Sequence, residues 1–303
     1  MNTLVSFIYV NYNSGTYLSK SIESLLKFET LININFEIIV IDNNSNDKSA
    51  DLSFKNCKIF KLNENLGFAK ANNFAVSKAQ GNILYFINPD TIFLSLDLQE
   101  NINLLLNKKL KIGIISPLVK YSNNKLQYTC RKEPSNLYLL PYLIGFKNLF
   151  HFNYKYKKEY YNSKFHPDWV SGCAFMMTKD LYLSLNGFNE RFFLYWEDVD
   201  LCKRVRNNGY KVLFNPNHTI LHYENISAKK VKSFSKIHEI NGRLLYFYMY
   251  KSRQNFYLIY IISLINILLL IIYSLFKNKN DTYEYLFVLK HFIKIYNVRK
   301  ILY

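Results

Sequence analysis

The chain has few acidic residues for its number of basic ones, and this shortage limits the kinds of partner it can have. Its 303 residues include 22 acidic and 39 basic side chains, which gives a formal net charge of +17 at pH 7. A surplus of this size calls for an anionic partner, such as nucleic acid, an anionic membrane surface or a phosphorylated substrate. Because 50% of the residues are hydrophobic, the chain is expected to fold around a substantial core.

Cysteine pairs of the kind that bind metals or form disulfides are also missing. The four cysteines, Cys57, Cys130, Cys173 and Cys202, lie far apart and alternate with no histidine at metal-binding spacing. They are expected to be reduced thiols, which favours the cytosol. The first ten residues, MNTLVSFIYV, lack the basic region and the cleavage site of a signal peptide, so we interpret them as a first strand.

The first 120 residues alternate strand-like and helix-like stretches with short connections. Apolar runs of four to eight residues indicate strands, and apolar residues at intervals of three and four indicate helices. The predicted strands cover 4–10, 36–42, 57–62, 83–88, 112–119, 169–177 and 210–216, and helices are predicted over 68–79 and within 191–209. This βαβα order predicts an α/β fold with a mostly parallel sheet flanked by helices.

A polar cluster follows each of the first four predicted strands. The clusters are Asn11–Asn13, Asp42–Ser45, Asn63–Gly67 and Asn88–Asp90. Since parallel strands end at one edge of a sheet, these clusters are expected to form a binding cleft there. Asp90 is a lone carboxylate at the end of a buried strand, and the alternative is that it caps a turn or a following helix.

A second group of acids, Glu197, Asp198 and Asp200, opens the helix predicted within 191–209. Three carboxylates at this position could simply complement the helix dipole. The aromatic residues just before them favour another interpretation, because an apolar environment raises the pKa of a carboxyl group. A raised pKa turns an acid into an effective general base near neutral pH.

The last quarter of the chain combines positive charge with the most apolar segment. Residues 256–276, FYLIYIISLINILLLIIYSLF, contain no charged side chain and are long enough to span hydrocarbon. Basic residues flank the segment on both sides, so we favour a re-entrant or in-plane helix over a single span, followed by an amphipathic stretch over 285–303. A buried core helix is the alternative. Residues 146–165 mix aromatics with lysine, which fits single-stranded nucleic acid, a membrane interface or a solvated loop.

Seven motifs occur in order over about residues 3–228. They are VNYN (10–13), VIDNNSND (40–47), NENLGFAKANN (63–73), INPDT (87–91), WVSGCAFMM (169–177), FFLYWEDVDL (192–201) and HYENIS (222–227). Together they resemble the inverting glycosyltransferases of family two, and within them the rhamnosyltransferase-like branch. Each motif alone is weakly specific, whereas seven in order are a strong signal.

The resemblance implies a GT-A fold with a nucleotide-sugar-binding half over 1–120, an acceptor-binding half over 121–228 and a membrane-associated helical region over 229–303. It implies transfer of a sugar, with rhamnose as the first choice, from a dTDP- or UDP-sugar. The acceptor would be a glycan or a polyprenyl-diphosphate-linked glycan, in cell-surface polysaccharide synthesis at the cytoplasmic face of the membrane, with no role for nucleic acid.

The resemblance also assigns residues to the donor. Asn11, Asn13 and Asp42 would contact the nucleotide, with Asp42 accepting a hydrogen bond from a pyrimidine N–H. Asn65 and Gly67 would let the chain approach the nucleotide and ribose, where a Cβ at position 67 would intrude.

The resemblance also assigns residues to the metal and to proton transfer. Asp90 and His222 would bind a divalent cation, Mg²⁺ or Mn²⁺, and the alternative for His222 is a satisfied histidine at a strand end. Asn88 of the donor site stands where many GT-A enzymes have the first acid of an Asp-x-Asp motif. Asp198 would be the general base, with Glu197 as second choice.

Two other functional classes compete with the one that this resemblance implies. A sugar nucleotidyltransferase carries a Gly-rich loop with arginine after its first strand, whereas the loop here, VNYNSGTY, has one glycine and no basic residue. A non-catalytic basic protein that binds a membrane or nucleic acid would keep its function when Asp90 or Asp198 is replaced.

Overall fold

The computed structural model describes residues 3–29, 34–136, 139, 154–223, 232–277 and 279–295. The chain divides into two units. The first comprises Met1–Lys132, Lys155–Phe193 and Glu197–Ser227, and the second comprises Glu133–Tyr154, Leu194–Trp196 and Ala228–Tyr303. The functional division at residue 228, drawn from the sequence, stays a prediction.

The first unit is built on an eight-stranded mixed sheet in the order β3-β2-β1-β4-β9-β6-β10-β5. Its strands are β1 (Leu4–Asn11), β2 (Asn35–Asp42), β3 (Cys57–Lys61), β4 (Ile83–Ile87), β5 (Thr91–Ser95), β6 (Ile112–Lys120), β9 (Ala174–Thr178) and β10 (Lys211–His222). Within this sheet β5 and β9 run antiparallel to the other strands, so the predicted mostly parallel α/β sheet is confirmed. A separate two-stranded sheet pairs β7 (Cys130–Arg131) with β8 (Trp169–Val170).

Helices accompany the sheet of the first unit, which has an apolar core on each face. They are α1 (Gly15–Leu26), α2 (Gly67–Lys78), α3 (Leu98–Leu106), α4 (Lys179–Ser184) and α5 (Glu197–Asn207). Alternate residues of β1 enter different cores: Phe7 packs with Leu18 of α1, and Ile8 packs with Ala71 of α2. This alternation explains why both faces of β1 are apolar.

Two strand predictions were wrong in detail. β5 was not predicted, because it pairs only with β10, more than a hundred residues away, and its local pattern is short. The strand predicted over 169–177 is broken at Ser171–Cys173 into β8 and β9. β4 and β5 follow each other through a short turn yet lie four positions apart in the strand order, so the sheet is curled.

The aromatic stretch before β8 is packed where the structure describes it. Tyr161 is buried and lies against Phe214 of β10, with ring centroids 5.0 Å apart. The N–H of Phe214 donates to the carbonyl oxygen of Phe165 at 2.9 Å. Over 155–165 these aromatics therefore stabilise the first unit, while 146–153 lie outside the described residues.

The second unit contains helices α6 (Lys232–Tyr250), α7 (Arg253–Lys277) and α8 (Lys279–Ile295). A stretch of α7, Arg253–Phe276, is long and apolar enough to cross a membrane by length and composition, with a mean hydropathy of 2.6. Only 28% of its most apolar 18-residue segment is buried, which argues against the buried core helix considered above. The amphipathic stretch predicted over 285–303 is helical to Ile295, and its remainder lies outside the described residues.

Candidate active site

Asp90 lies in the turn between β4 and β5, where strand pairing brings it to His222. β5 runs antiparallel to β10 with Thr91 opposite His222, and the N–H of Tyr223 donates to the Asp90 carbonyl oxygen at 2.9 Å. His222 Nε2 consequently lies 3.2 Å from Asp90 Oδ1, and both side chains are buried. A strand, not a helix, follows Asp90, so the helix-capping alternative is excluded.

The contact between Asp90 and His222 is close, but it is not a hydrogen bond. His222 Nδ1 lies 3.2 Å from the Oε1 of Gln127, an atom that only accepts, so a neutral His222 ring donates from Nδ1 in this contact. Nε2 then presents a lone pair toward the Asp90 carboxylate, and it makes no hydrogen bond to any residue that the structure describes. Two buried acceptors that face each other are unfavourable unless a proton or a metal cation lies between them.

This pair fits a divalent cation. Imidazole nitrogen and carboxylate oxygen are both ligands for Mn²⁺, and bonds of about 2.1 Å at a right angle separate two ligand atoms by about 3.0 Å. The described residues contain no group of three or more His, Cys, Asp and Glu side chains that could hold a metal ion. Any such ion would therefore need further oxygens from a substrate or water.

Asn11 and Asp42 end the neighbouring strands β1 and β2, and a network of hydrogen bonds joins them. Asn11 Nδ2 donates to Asp42 Oδ2 at 3.2 Å and to Ser49 Oγ at 2.7 Å. Ser45 N–H donates to Asp42 Oδ1 at 3.0 Å, and Asn13 N–H donates to Ser45 Oγ at 2.9 Å. Both Asp42 oxygens thus order the loop after β2. The contact of Asp42 with a pyrimidine stays a prediction.

Asn43 connects this network to the loop that starts α2. Its Nδ2 donates to Asn65 Oδ1 at 2.9 Å, and its Oδ1 accepts from Leu66 N–H at 2.8 Å. Gly67 follows with a φ of +78°, and a Cβ built there would lie 2.3 Å from the carbonyl oxygen of Phe193. The described structure thus requires glycine at 67 for this close approach, whether or not a nucleotide is bound.

We expect Gly67→Ala to destabilise the protein more than Gly209→Ala. Gly209 has nearly the same φ, +79°, but no atom lies within 4 Å of its added Cβ. Gly209→Ala therefore measures the backbone cost alone, about 1–2 kcal/mol. Gly67→Ala adds a clash with a backbone oxygen, so its loss of unfolding free energy in urea should be at least twice as large. Equal losses would contradict the proposed contact with Phe193.

The acids at the start of α5 differ from one another in their surroundings. Asp198 is partly exposed, and its two oxygens accept from Gly172 N–H and Val199 N–H, each at 2.8 Å. Glu197 is buried, and its Oε2 has no hydrogen-bond partner among the described residues. Asp200 is fully buried and pairs with Arg204, one turn later, at 2.7 Å. Asp200 is therefore structural, whereas Asp198 is open to a substrate.

Burial shifts the titration of the first two acids. Although Asp198 is partly exposed, desolvation of its carboxyl group by the surrounding protein raises its pKa above the ordinary value, and the N–H donors of Gly172 and Val199 limit that rise. Burial, and then the neighbouring charge of Asp198, raise the pKa of Glu197 well above its ordinary value. A buried carboxyl with a raised pKa is the environment expected of a general base or acid.

Two strained residues lead into α5. Tyr195 and Trp196 have φ angles of +68° and +73°, in the left-handed region that bulky side chains rarely adopt. Strain of about 1–3 kcal/mol at each such residue persists where the surroundings enforce it, commonly at functional sites. In the second unit, a Cβ at Gly242 of α6 would lie 2.7 Å from the Tyr195 carbonyl oxygen, so glycine permits this approach.

The turn around Cys173 lies near both Asp90 and Asp198. Asn88 N–H donates to the Cys173 carbonyl oxygen at 2.8 Å, and Gly172 N–H holds Asp198. Burial, with a contribution from the charges of Asp90 and Asp198, raises the pKa of the Cys173 thiol to about 12. One turn therefore connects the Asp90–His222 pair with the proposed base.

Comparison with known proteins places this site in a family. The family model described as Glycosyl transferase family 2 matches residues 6–182, more than half of the chain. The chain belongs to glycosyl transferase family 2. A second family model, described as the N-terminal domain of galactosyltransferase, matches residues 149–229 of this glycosyltransferase.

Curated relatives and a solved structure agree with this assignment. The rhamnosyltransferase WbbL of Escherichia coli strain K12 is 25% identical over 233 residues, covering 73% of this chain and 83% of WbbL. The N-acetylglucosaminyl-diphospho-decaprenol L-rhamnosyltransferase of Mycobacterium tuberculosis strain CDC 1551 / Oshkosh is 24% identical over 242 residues, covering 74% of this chain and 77% of that protein. The mannosyltransferase PcManGT from Pyrobaculum calidifontis, solved in complex with GDP-Man and Mn²⁺, shares the fold with a TM-score of 0.52 at 14% identity, over 95% of this chain and 74% of that one.

In this glycosyltransferase, all the predicted site residues lie in or beside the loops at the carboxyl end of the sheet or at the start of α5. Those in the sheet-edge loops form three groups, which are Asn11, Asn13 and Asp42; Asn65 and Gly67; and Asn88, Asp90 and His222. Glu197 and Asp198 lie at the start of α5, where Asp198 contacts the Cys173 turn. The later residues of the HYENIS motif, 224–227, lie outside the described residues. Gln127, Asn43 and Gly172 were not predicted, because their contacts are visible only in the folded chain.

The raised pKa of Glu197 gives the glycosyltransferase a testable pH dependence. A carboxyl group whose folded-state pKa lies above the unfolded value of 4.5 contributes stability that is fully present below pH 4.5 and is lost as pH rises through the folded pKa. Glu197→Gln should therefore gain more unfolding free energy over the wild type near pH 8 than near pH 5. Urea titrations measure this, with Glu64→Gln as the control that removes one charge from an exposed position. A gain independent of pH would contradict the burial of an ionisable Glu197.

Proposed function

We propose that this glycosyltransferase moves a sugar, with rhamnose as first candidate, from a dTDP- or UDP-sugar to a polyprenyl-diphosphate-linked glycan, with inversion at the anomeric carbon. The observation that carries the proposal is the buried Asp90–His222 pair, whose facing acceptor atoms suit a cation that binds a diphosphate. The names of both rhamnosyltransferase relatives support the sugar, and that of the mycobacterial relative supports a lipid-linked acceptor, from which we infer a role in cell-surface polysaccharide synthesis.

Asp90 and His222 are the protein ligands that would hold Mg²⁺ or Mn²⁺. When bound, such an ion supplies positive charge that stabilises the departing nucleoside diphosphate. Asn88, held by Cys173, fixes the turn that carries Asp90. The networks around Asn11 and Asn43 order the loops beside it and present the nucleotide subsite.

Asp198 receives the proton of the attacking acceptor hydroxyl. Each of its oxygens accepts one backbone N–H and retains a second lone pair, so the carboxylate is oriented but not saturated. The acceptor oxygen forms a bond to the anomeric carbon as the bond from that carbon to the diphosphate oxygen breaks, and the hydroxyl proton moves to Asp198. The raised pKa makes Asp198 a stronger base than an ordinary carboxylate.

A donor screen tests this function. Purified protein is incubated with Mn²⁺, a synthetic polyprenyl-diphosphate-linked N-acetylglucosamine and each of a set of nucleotide sugars, and release of nucleoside diphosphate is measured. Acceptor-dependent release is expected with dTDP-rhamnose above other donors. Acceptor-dependent release with another donor alone would replace the sugar, and no release with any donor would contradict the function.

We also propose that the second unit lies on the cytoplasmic face of the membrane. α7 exposes apolar side chains along one side, including Ile261, Leu268 and Ile272. Spacings of seven and four residues place these on one helix face. The excess of basic residues after residue 229 favours an anionic surface. An in-plane helix would bury this face among lipid chains and would hold the protein at the membrane that carries a lipid-linked acceptor.

The triple variant Ile261→Gln, Leu268→Gln, Ile272→Gln should lose membrane binding. Each lost apolar contact removes about 1 kcal/mol or more, so vesicle partition should fall by about 100-fold or more. Sedimentation with phosphatidylcholine–phosphatidylglycerol vesicles measures it. The control replaces Leu94, Leu110 and Leu183, exposed leucines of the first unit, by glutamine. Equal partition of triple variant and wild type would show that the anchor lies elsewhere.

A further inference from the structure

Gln127 is a buried amide that no step of the proposed reaction uses. It is 8% exposed, and its backbone N–H donates to the Val119 carbonyl oxygen at 2.9 Å, which anchors it to β6. Its Oε1 lies 3.2 Å from Nδ1 of His222. A buried amide oxygen held beside a ring nitrogen determines where the ring can carry its proton.

A neutral histidine has two tautomers, and they have opposite consequences at this position. With the proton on Nδ1, the ring donates to Gln127 and leaves the Nε2 lone pair facing Asp90. With the proton on Nε2, an N–H instead of a lone pair faces Asp90 Oδ1 at 3.2 Å, which suits the carboxylate but leaves Nε2 unable to bind a cation. Asp90 by itself therefore favours the tautomer that closes the site.

We propose that Gln127 is the positioning residue that keeps the site open to a cation. By accepting from Nδ1–H, its amide oxygen selects the tautomer whose Nε2 is a free ligand, and it fixes the plane of the ring. Partners of this kind behind a metal-binding histidine contribute about 10- to 100-fold to metal affinity. The inference rests on the proposed function, because it takes the Asp90–His222 pair as the cation site.

The test compares Gln127→Met, which removes the acceptor but keeps a side chain of similar length, with Gln127→Glu, which keeps an acceptor oxygen. Gln99→Met, on the exposed face of α3, is the matched control. Binding of MnCl₂ in the presence of dTDP or UDP is measured by electron paramagnetic resonance. The tautomer of His222 is read from the nitrogen shifts of histidine-labelled protein, with His222→Gln used for assignment.

Gln127→Met should weaken Mn²⁺ binding by about 10- to 100-fold and move the His222 proton to Nε2. Gln127→Glu and Gln99→Met should both retain Mn²⁺ binding within about threefold, with Nδ1 protonated. Wild-type affinity in Gln127→Met, or a loss in Gln127→Glu as large as in Gln127→Met, would overturn the inference while leaving the cation site intact. A wild-type protein that binds no Mn²⁺ under these conditions would overturn the cation site and this inference together.

Discussion

Asp198→Asn is expected to lower kcat by about 10²- to 10⁴-fold while donor affinity stays close to that of the wild type. The amide keeps the size of the side chain and an acceptor for backbone N–H groups, but it cannot take the acceptor proton. Turnover with the lipid-linked acceptor gives kcat, and calorimetric titration with nucleoside diphosphate and Mn²⁺ gives donor affinity. The split between the two is what separates a base from a binding residue.

The neighbouring acids provide internal comparisons for Asp198. Glu197→Gln should cost less activity, because Glu197 is buried and is assigned only a supporting role. Asp200→Asn should act mainly on stability, since it breaks the ion pair between the fully buried Asp200 and Arg204 and leaves the guanidinium without its carboxylate. If Glu197→Gln is the most damaging and Asp198→Asn remains active, the base is Glu197.

Asp90→Asn is expected to weaken binding of Mn²⁺ and donor together, by about 100-fold or more, because the cation loses its carboxylate ligand. Unlike Asp198→Asn, it should lower affinity and activity in parallel. Calorimetric titration of dTDP or UDP in the presence of Mn²⁺ measures the change. Asp51→Asn, at an exposed acid of the first unit, controls for the altered net charge. Unchanged donor affinity in Asp90→Asn would remove Asp90 from the cation site.

Much of the sheet could be predicted because its signals are local. β1, β2 and β3 begin and end within one residue of the predicted strands, since each is an apolar run between polar loops. The alternation of strands and helices along the sequence also predicted that Asp42 and Asp90 lie at one edge of the sheet. The acidic residues that begin α5 were likewise recognisable from the sequence as the start of a helix.

The features that the sequence pattern could not predict depend on contacts between residues that are distant in the chain. His222 was assigned from the family resemblance, and only the register of β10 with the unpredicted β5 brings it to Asp90. Gln127 lies in an irregular stretch with no pattern of its own. Gly67 was expected to make room for a nucleotide, whereas the structure shows a Phe193 carbonyl oxygen against it. Each of these contacts joins residues that are far apart in the chain.

The central claim is that Asp198 serves a single displacement, with no covalent sugar–enzyme intermediate. The most direct test is the anomeric configuration of the product, read by nuclear magnetic resonance from the one-bond carbon–proton coupling of the transferred sugar, against that of the donor. We predict that a donor of one configuration gives a product of the opposite configuration only. A product that retains the donor configuration would contradict the account, because two displacements would then be needed and Asp198 could not act as the base proposed.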